Sequence, residues 1–284
     1  MGELYRTDPR KFFEYSLHDT RLLVKLEDKL KYLQLAVTMA RKATIKYNDV
    51  LGTIKYLEHA VLNHCHFDRK EMLVIPNLNE DNTRDGLTGA FVVDTIPGVY
   101  GWSCSTDIAS LYPSTIRALN LSPETHVFQC TSKFDDFVKI VENDCNDIID
   151  LIYIPTGECI QLPVNEVREM IDDNNYTISA NGSIMDTSKR GIIPEILDIW
   201  YYERRDMKNL SKDYKKSGDL VKAEYYNNMQ NLRKIGLNSL YGAISNQFCR
   251  FYTLNIAASI TLTGQVIEMQ QIYRANEFVN KFKK

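Results

Sequence analysis

Five residues in the last third of the sequence have types and spacings suited to gripping a polyphosphate. Arg204 and Lys208 lie four apart and share one face of any helix that carries them. Lys234, Asn238 and Tyr241 follow the i, i+4, i+7 pattern of a single face on a second helix. Ser217-Gly218-Asp219 between the two segments is a turn sequence. Arg204 precedes Gly218 by 14 residues and Lys234 follows it by 16. An antiparallel hairpin rising about 1.5 Å per residue therefore brings the two to nearly one height. Three cations then converge beside an amide and a phenol, a receptor for a triphosphate, because charge-assisted hydrogen bonds are the strong ones. The same spacings also describe a solvated face with scattered lysines, and hairpin geometry alone favours that plainer description.

A second chemistry resides in Asp107-Ile108-Ala109-Ser110-Leu111-Tyr112-Pro113-Ser114. An aspartate at a strand end holds its carboxylate rigidly over a cleft, and hard oxygen donors suit Mg²⁺. An aspartate there equally serves as a turn or N-cap residue. His64-Cys65-His66 offers metal-ligating side chains without a second ligand pair at zinc spacing, and reads as an incidental surface cluster.

The elements that must position these residues follow from local pattern. Asp8-Pro9 is an N-cap followed by proline at the first helical position. Phe12, Phe13, Leu17, Leu22, Leu23, Leu26, Leu30 and Leu33 then recur at helical spacing, so residues 9–65 are expected to be largely helical, broken near 46–52. Residues 77–86 read as a polar linker. Residues 90–95 and 99–106 read as strands about Ile96-Pro97-Gly98, with Asp107 ending the second and Pro113 opening a helix. Residues 125–190 are mixed, with β-like pieces at 151–154 and 176–179. Helices are expected over 194–216, over 220–240 and from 256 to the end.

Composition bounds what such a chain does. Among 284 residues, 34 basic and 37 acidic side chains give a net charge of -3, with 44% hydrophobic and 25% charged residues. That is an ordinary globular composition; it excludes a uniformly basic nucleic-acid coat and gives no reason to expect a polybasic membrane patch. The sum conceals local fields: residues 204–216 carry net +4 and residues 133–150 net -4. No run of eighteen apolar residues and no apolar signal core occurs, so no membrane association is expected. Six scattered cysteines without a C-x-x-C pair read as reduced thiols.

Taken as words, Lys234-Ile235-Gly236-Leu237-Asn238-Ser239-Leu240-Tyr241-Gly242 is K-x3-N-S-x-Y-G, and the segment from Asp107 is D-x-x-S-L-Y-P-S. In that order they resemble motifs B and A of family B DNA polymerases. Asn120-Leu121-Ser122-Pro123-Glu124-Thr125, together with Asn246, Phe248, Arg250, Phe251 and Tyr252, is similar to the replicative enzymes of T-even-type bacteriophages. The resemblance covers nearly the whole chain and is weakest over about 126–175. It implies an α+β fold: a partial polymerase palm of antiparallel strands plus helices, a helical-hairpin fingers subdomain and an N-terminal helical segment. The implied divisions are 1–40 for the C-terminal helix of an exonuclease domain, 41–86 for a helical connector and linker, and 87–190 for the first part of the palm with motif A. Residues 191–240 would form the fingers hairpin and 241–284 a palm return segment and helix.

The resemblance also implies roles. The reaction would be template-directed addition of deoxynucleotides to a primer 3′ end by two-metal phosphoryl transfer. Asp107 and the carbonyl of Ile108 would face Mg²⁺, two ions in the assembled site, while Ser110, Leu111 and Tyr112 offer backbone amides to the phosphates. The Tyr112 ring would exclude a 2′-hydroxyl by sterics, although it also suits a core aromatic capping the next helix. Arg204, Lys208 and the catalytic Lys234 would bind the triphosphate, with Asn238 adding a hydrogen bond. Tyr241 and Gly242 would border the nascent base pair, and Gly242 equally suits a helix terminator. Tyr15-Ser16-Leu17-His18-Asp19 fits Y-x3-D of a proofreading exonuclease, where Asp19 would bind a metal and Tyr15 orient the attacking water.

Other parts of the family pattern are absent from the sequence: the second palm carboxylate of motif C, a thumb, and the first two exonuclease motifs. The expectation is a central polymerase fragment, inactive in isolation as polymerase and exonuclease. Three origins stay open, namely a split-polymerase subunit, a truncation, and an inactive remnant or template- and nucleotide-binding module. Implied partners are primer–template DNA, dNTP, complementary chains carrying the absent parts and a sliding clamp, in the cytoplasm of a bacterial host.

Overall fold

Helix α1 (Gly2–Thr7) leads into α2 (Pro9–Leu30). The N-cap is formed as the sequence implied: the Asp8 carboxylate accepts the Lys11 amide at 3.0 Å and Pro9 opens the helix. None of the residues of α2 is buried: Phe13, Leu17, Leu22, Leu23, Leu26 and Leu30 are exposed and Phe12 is half-buried. The computed structural model describes residues 2–72, 89–94, 97–99, 101, 105–142 and 147–281. The long expected helix breaks first at Lys31, whose left-handed backbone (φ 55°) separates α2 from α3 (Tyr32–Ala43). It breaks again, as expected, across 44–52 before α4 (Thr53–Asn63), which continues as a π-helical turn, His64–Arg69.

The expected linker at 77–86 lies outside the described residues. The strands expected over 90–95 and 99–106 are not observed: residues 89–94, 97–99, 101 and 105–108 carry no strand. Val92 (83%) and Val99 (103%) stand in the open, and strand-prone residues without sheet neighbours to pack against do not hold a strand. Asp107 therefore follows irregular backbone rather than ending a strand.

The β structure lies further along. Helix α5 (Leu111–Leu119) precedes β1 (His126–Cys130), α6 (Phe134–Glu142), β2 (Ile148–Tyr153), β3 (Glu158–Pro163), α7 (Val164–Asp173), β4 (Tyr176–Ile178) and β5 (Ser183–Asp186). The strands form one antiparallel sheet ordered β3-β2-β1-β5-β4, with Cys130 opposite Leu151 and Ile184 opposite Ile178. Cys130, Ile149, Leu151 and Ile184 pack against Ile140 of α6 and Val164 and Val167 of α7 to make one core. An α+β architecture is thus present, built on this antiparallel sheet.

The larger core belongs to α8 (Ile192–Lys216), α9 (Leu220–Ile244) and α10 (Leu254–Lys281). Ile196, Leu197 and Trp200 of α8 meet Leu237, Leu240 and Ile244 of α9, with Ile116, Leu57 and Ile260 closing the sides. Gly218 turns the hairpin at φ +84°, where glycine bears no steric penalty, and the Asp219 carboxylate caps α9 through the Lys222 amide at 3.1 Å. Within the described residues, no helix is long and apolar enough to cross a membrane.

Candidate functional site

The hairpin register matches the count made from Gly218. Glu203 and Arg233, the residues immediately before Arg204 and Lys234, form an ion pair across the two helices, with the Arg233 guanidinium over Trp200 at 5.5 Å. Because the helices run antiparallel, Arg204 and Lys234 are then offset by two residues, about 3 Å along the axis. Gly236, Leu237 and Leu240 turn one face of α9 into the core, which leaves Lys234 and Asn238 exposed on the other. Arg204 is half-buried and its Nε is enclosed without a hydrogen-bond partner among the described residues.

Lys234 and Lys208 line different grooves. Lys234 and Asn238 line a groove of about 340 Å³ between α9 and the α2–α3 elbow, with Asn231 and Tyr225 beside them. Lys208 lines a separate groove nearer the hairpin tip, together with Lys212, Lys215, Asn227 and Gln230. Lys31 and Tyr32, unmarked in the sequence, also line the first groove. They arrive there because the chain breaks at Lys31, and nothing in the local pattern announces that break.

The other half of the site is the entrance to α5. Ser110 takes a left-handed backbone (φ 55°, ψ 51°) at the N-cap. The amides of Leu111 and Tyr112 fall in the first helical turn, where no helical carbonyl is available to them, and Pro113 has no amide. Two backbone donors at a helix start suit an anion. Asp107 is exposed and Ile108 half-buried just upstream.

Tyr112 joins the two halves. Its ring lies 4.4 Å from that of Tyr241 on α9, tilted by 39°. Burial pushes the Tyr112 phenol above its ordinary value, with the neighbouring charges of Tyr241 and Glu268 adding to it, so the hydroxyl stays protonated. Tyr112 is half-buried, and so serves neither as a fully sealed core aromatic nor as a free one. Gly242 does not terminate its helix: α9 runs on to Ile244, and a Cβ at Gly242 would meet nothing within 4 Å.

The segment after α5 fixes the angle between these halves. Asn120 donates to the carbonyls of Asp186 (2.7 Å) and Lys189 (2.9 Å) and accepts the Gly191 amide at 3.0 Å. Glu124 accepts the Ile192 amide at 2.6 Å, satisfying an orphan donor at the start of α8. Arg117 of α5 donates to Asp198 of α8 at 2.5 Å and stacks over Tyr201 at 4.3 Å. Residues 117–124 thus tie the motif around Asp107 to the first helix of the hairpin.

Tyr15 and Asp19 stand one turn apart on α2, as their spacing required, and both are solvent-exposed. His64 and Cys65 are buried, which corrects their description as a surface cluster. His64 Nδ1 lies 2.8 Å from Asp68 and its Nε2 3.3 Å from Glu195, so the imidazole is a core polar joint. Burial alone would raise the Glu195 carboxyl, but hydrogen bonds from Arg69 and His64 outweigh it and hold the group low. Among the described residues no three or more His, Cys, Asp or Glu side chains are grouped to hold a metal ion.

Residues 55–283 match the family described as DNA polymerase family B. The chain is 26% identical over 309 residues to the DNA-directed DNA polymerase of Escherichia phage RB69, an alignment covering 99% of this chain and 33% of that protein. It is 23% identical over 335 residues to the DNA-directed DNA polymerase of Enterobacteria phage T4, with the same coverage of 99% and 33%. Against the DNA polymerase delta catalytic subunit of Caenorhabditis elegans it is 29% identical over 275 residues, covering 93% and 22%. The solved family B DNA polymerase of the hyperthermophilic archaeon Pyrobaculum calidifontis shares the fold with a TM-score of 0.65 at 20% identity, covering 97% of this chain and 31% of that one. The chain spans about a third of the length of its phage relatives.

Proposed function

Because this chain belongs to DNA polymerase family B, we propose that it is the palm-and-fingers portion of a DNA-directed DNA polymerase and binds the incoming deoxynucleoside triphosphate between the start of α5 and the exposed face of α9. The observation that carries this reading is the contact of Tyr112 with Tyr241, which joins two motifs remote in sequence into one site. Lys234 neutralises the triphosphate and the charge that grows on departing pyrophosphate, assisted by Arg204 on the facing helix and by Lys208 in the groove nearer the hairpin tip. The amides of Leu111 and Tyr112 receive phosphate oxygens, and Asn238 adds a neutral hydrogen bond. The Tyr112 ring sits beneath the sugar and rejects a 2′-hydroxyl, while Tyr241 and Gly242 border the base pair.

Asp107 and the Ile108 carbonyl are hard oxygen donors of the kind Mg²⁺ prefers, and they make one corner of a metal site. Two such ions supply charge neutralisation to the attacking and leaving oxygens when bound. The remaining ligands belong, on this reading, to partner chains that also bring the thumb and the metal-binding acids to accompany Tyr15 and Asp19. The exposed apolar side chains of α2, among them Phe13, Leu23 and Leu26, support such partners, since apolar groups left in water favour association.

Extension of a labelled primer tests both parts. The chain alone is expected to extend nothing, and a mixture with chains bearing the second palm carboxylate and the first exonuclease motifs is expected to extend, provided Asp107 is intact. Asp107-dependent extension by the chain alone would remove the need for partners. A mixture that neither co-purifies nor extends, under conditions where a complete family B enzyme does, would sink the split assembly.

A further inference from the structure

Helix α10 takes no part in the motifs, yet its buried Gly264 lies against the Cε1–Cδ1 edge of the Tyr112 ring. A Cβ at Gly264 would stand 2.9 Å from Tyr112 Cε1, 3.4 Å from Cδ1 and 3.6 Å from Leu111 Cδ2. The first of these is closer than real Cβ contacts come, so the ring occupies space that any other residue would claim. Tyr241 faces the ring from α9, 4.4 Å away. Tyr112 is therefore seated between α9 and the bare backbone of α10.

We propose that Gly264 is a positioning residue that sets the seat of the Tyr112 ring and, through it, the selection of deoxy- over ribonucleoside triphosphates. The proposal rests on the reading of Tyr112 as the wall against a 2′-hydroxyl. Its physical basis is which partner yields. Helix α10 is anchored in the turn leading up to the contact: Thr263 Oγ1 accepts the Ala180 amide at 3.0 Å. Ser259, four residues earlier, receives the Ser179 hydroxyl at 2.9 Å and donates to Ser183 at 3.0 Å. The Tyr112 ring is half-buried and turns about its side-chain torsions, so an added methyl group displaces the ring rather than the helix. Displacement runs away from α10, off the position that discriminates the sugar.

The test uses the full chain carrying 3-fluorotyrosine, in which the ¹⁹F resonance of Tyr112 is assigned by its loss in Tyr112→Phe. Affinities for dGTP and GTP are titrated on the same samples. Gly264→Ala is expected to fold, since alanine is the better helix former, and to move the Tyr112 resonance. It is expected to lower the preference for dGTP about tenfold, where a misplacement of 1 Å is worth on the order of a hundredfold. In a Tyr112→Ala background the same substitution is expected to change the preference no further. Wild-type preference in Gly264→Ala, when Tyr112→Ala has lost it, overturns the inference and leaves the reading of Tyr112 standing. Equal preference in wild type and Tyr112→Ala overturns that reading and the inference with it. An unfolded Gly264→Ala chain also counts against the proposal, which requires the ring to yield.

Discussion

Charge placement on α9 separates residues that look equivalent in the sequence. Lys234 lies in the groove that also holds Asn238, whereas Lys208 lies in another groove toward the hairpin tip. A charge-assisted hydrogen bond contributes about 1.5–3 kcal/mol, so Lys234→Ala is expected to weaken dNTP binding roughly tenfold to a hundredfold. Lys208→Ala should weaken it by less than about fivefold, the scale of an exposed charge. Equal losses in an equilibrium titration would place both lysines in one receptor. A second residue carries a pH dependence unrelated to the site. Burial in β1 lowers His126 to about 4, against hydrogen bonds with the Phe128 backbone and Gln129 side chain that pull it up. The folded chain thus refuses a proton that the unfolded chain accepts near pH 6.5. Stability from His126 is whole above that pH and drains as pH falls toward 4, a loss of ~3 kcal/mol over the window. Urea unfolding of His126→Gln should accordingly lose less stability between pH 7 and 4.5 than the wild type, and parallel losses would refute the assignment.

Among the elements, the hairpin was the most legible because its determinants are local. Gly218 requires a left-handed turn, Asp219 caps the next helix, and the apolar period continues on either side. Helix ends differed from expectation by a few residues at Ile192 and Ile244, within the usual fraying. The sheet was not legible in the same way. Strands β1, β3 and β5 are short, and β1 finds its neighbours β2 and β5 only after intervening helix and loop, so no window of sequence contains the partner that stabilises it. The reverse holds for the described residues between 90 and 106, which carry no strand although Val92 and Val99 are β-branched. Close approach of the two hairpin helices is likewise a pairing that sequence alone does not display. A Cβ at Gly236 would stand 3.1 and 3.3 Å from ring atoms of Trp200, itself only 7% exposed and unable to retreat. Gly236→Val is therefore expected to destabilise the chain by about 2 kcal/mol through overpacking. Gly236→Ala should fall near neutral, because a gain of about 1 kcal/mol in helix propensity offsets the tight contact. Thermal unfolding in which valine proves harmless would mean the helices part freely.

At the scale of the molecule, burial is unevenly distributed. Helix α9 holds Leu237, Leu240 and Ile244 at 1% exposure or less, while α2, of 22 residues, buries none. In α10 the buried residues run from Ile256 to Gly264, and Ile272, Tyr273, Phe278 and Val279 beyond them are exposed. The leucines at helical spacing in α2 thus predicted the element correctly but not its surroundings: periodicity reports that a face is apolar, and says nothing of what covers it. Among the described residues the aromatic contacts of α2 include one with α1, where Tyr5 meets Phe12 at 5.3 Å. A helix whose apolar face is uncovered lacks the main source of helical stability in proteins, the packing of that face. Hydrogen exchange should read this directly. In the chain alone, amides of α2 are expected to exchange on the order of a hundredfold faster than those of Leu237 to Ile244, which open only with the core. Addition of the proposed complementary chains should slow α2 and the exposed end of α10 while leaving α9 nearly unchanged, because coverage stabilises only the faces it covers. Slow exchange throughout α2 in the isolated chain would show that its apolar residues already have partners, and the surface assigned to a second subunit would then not exist.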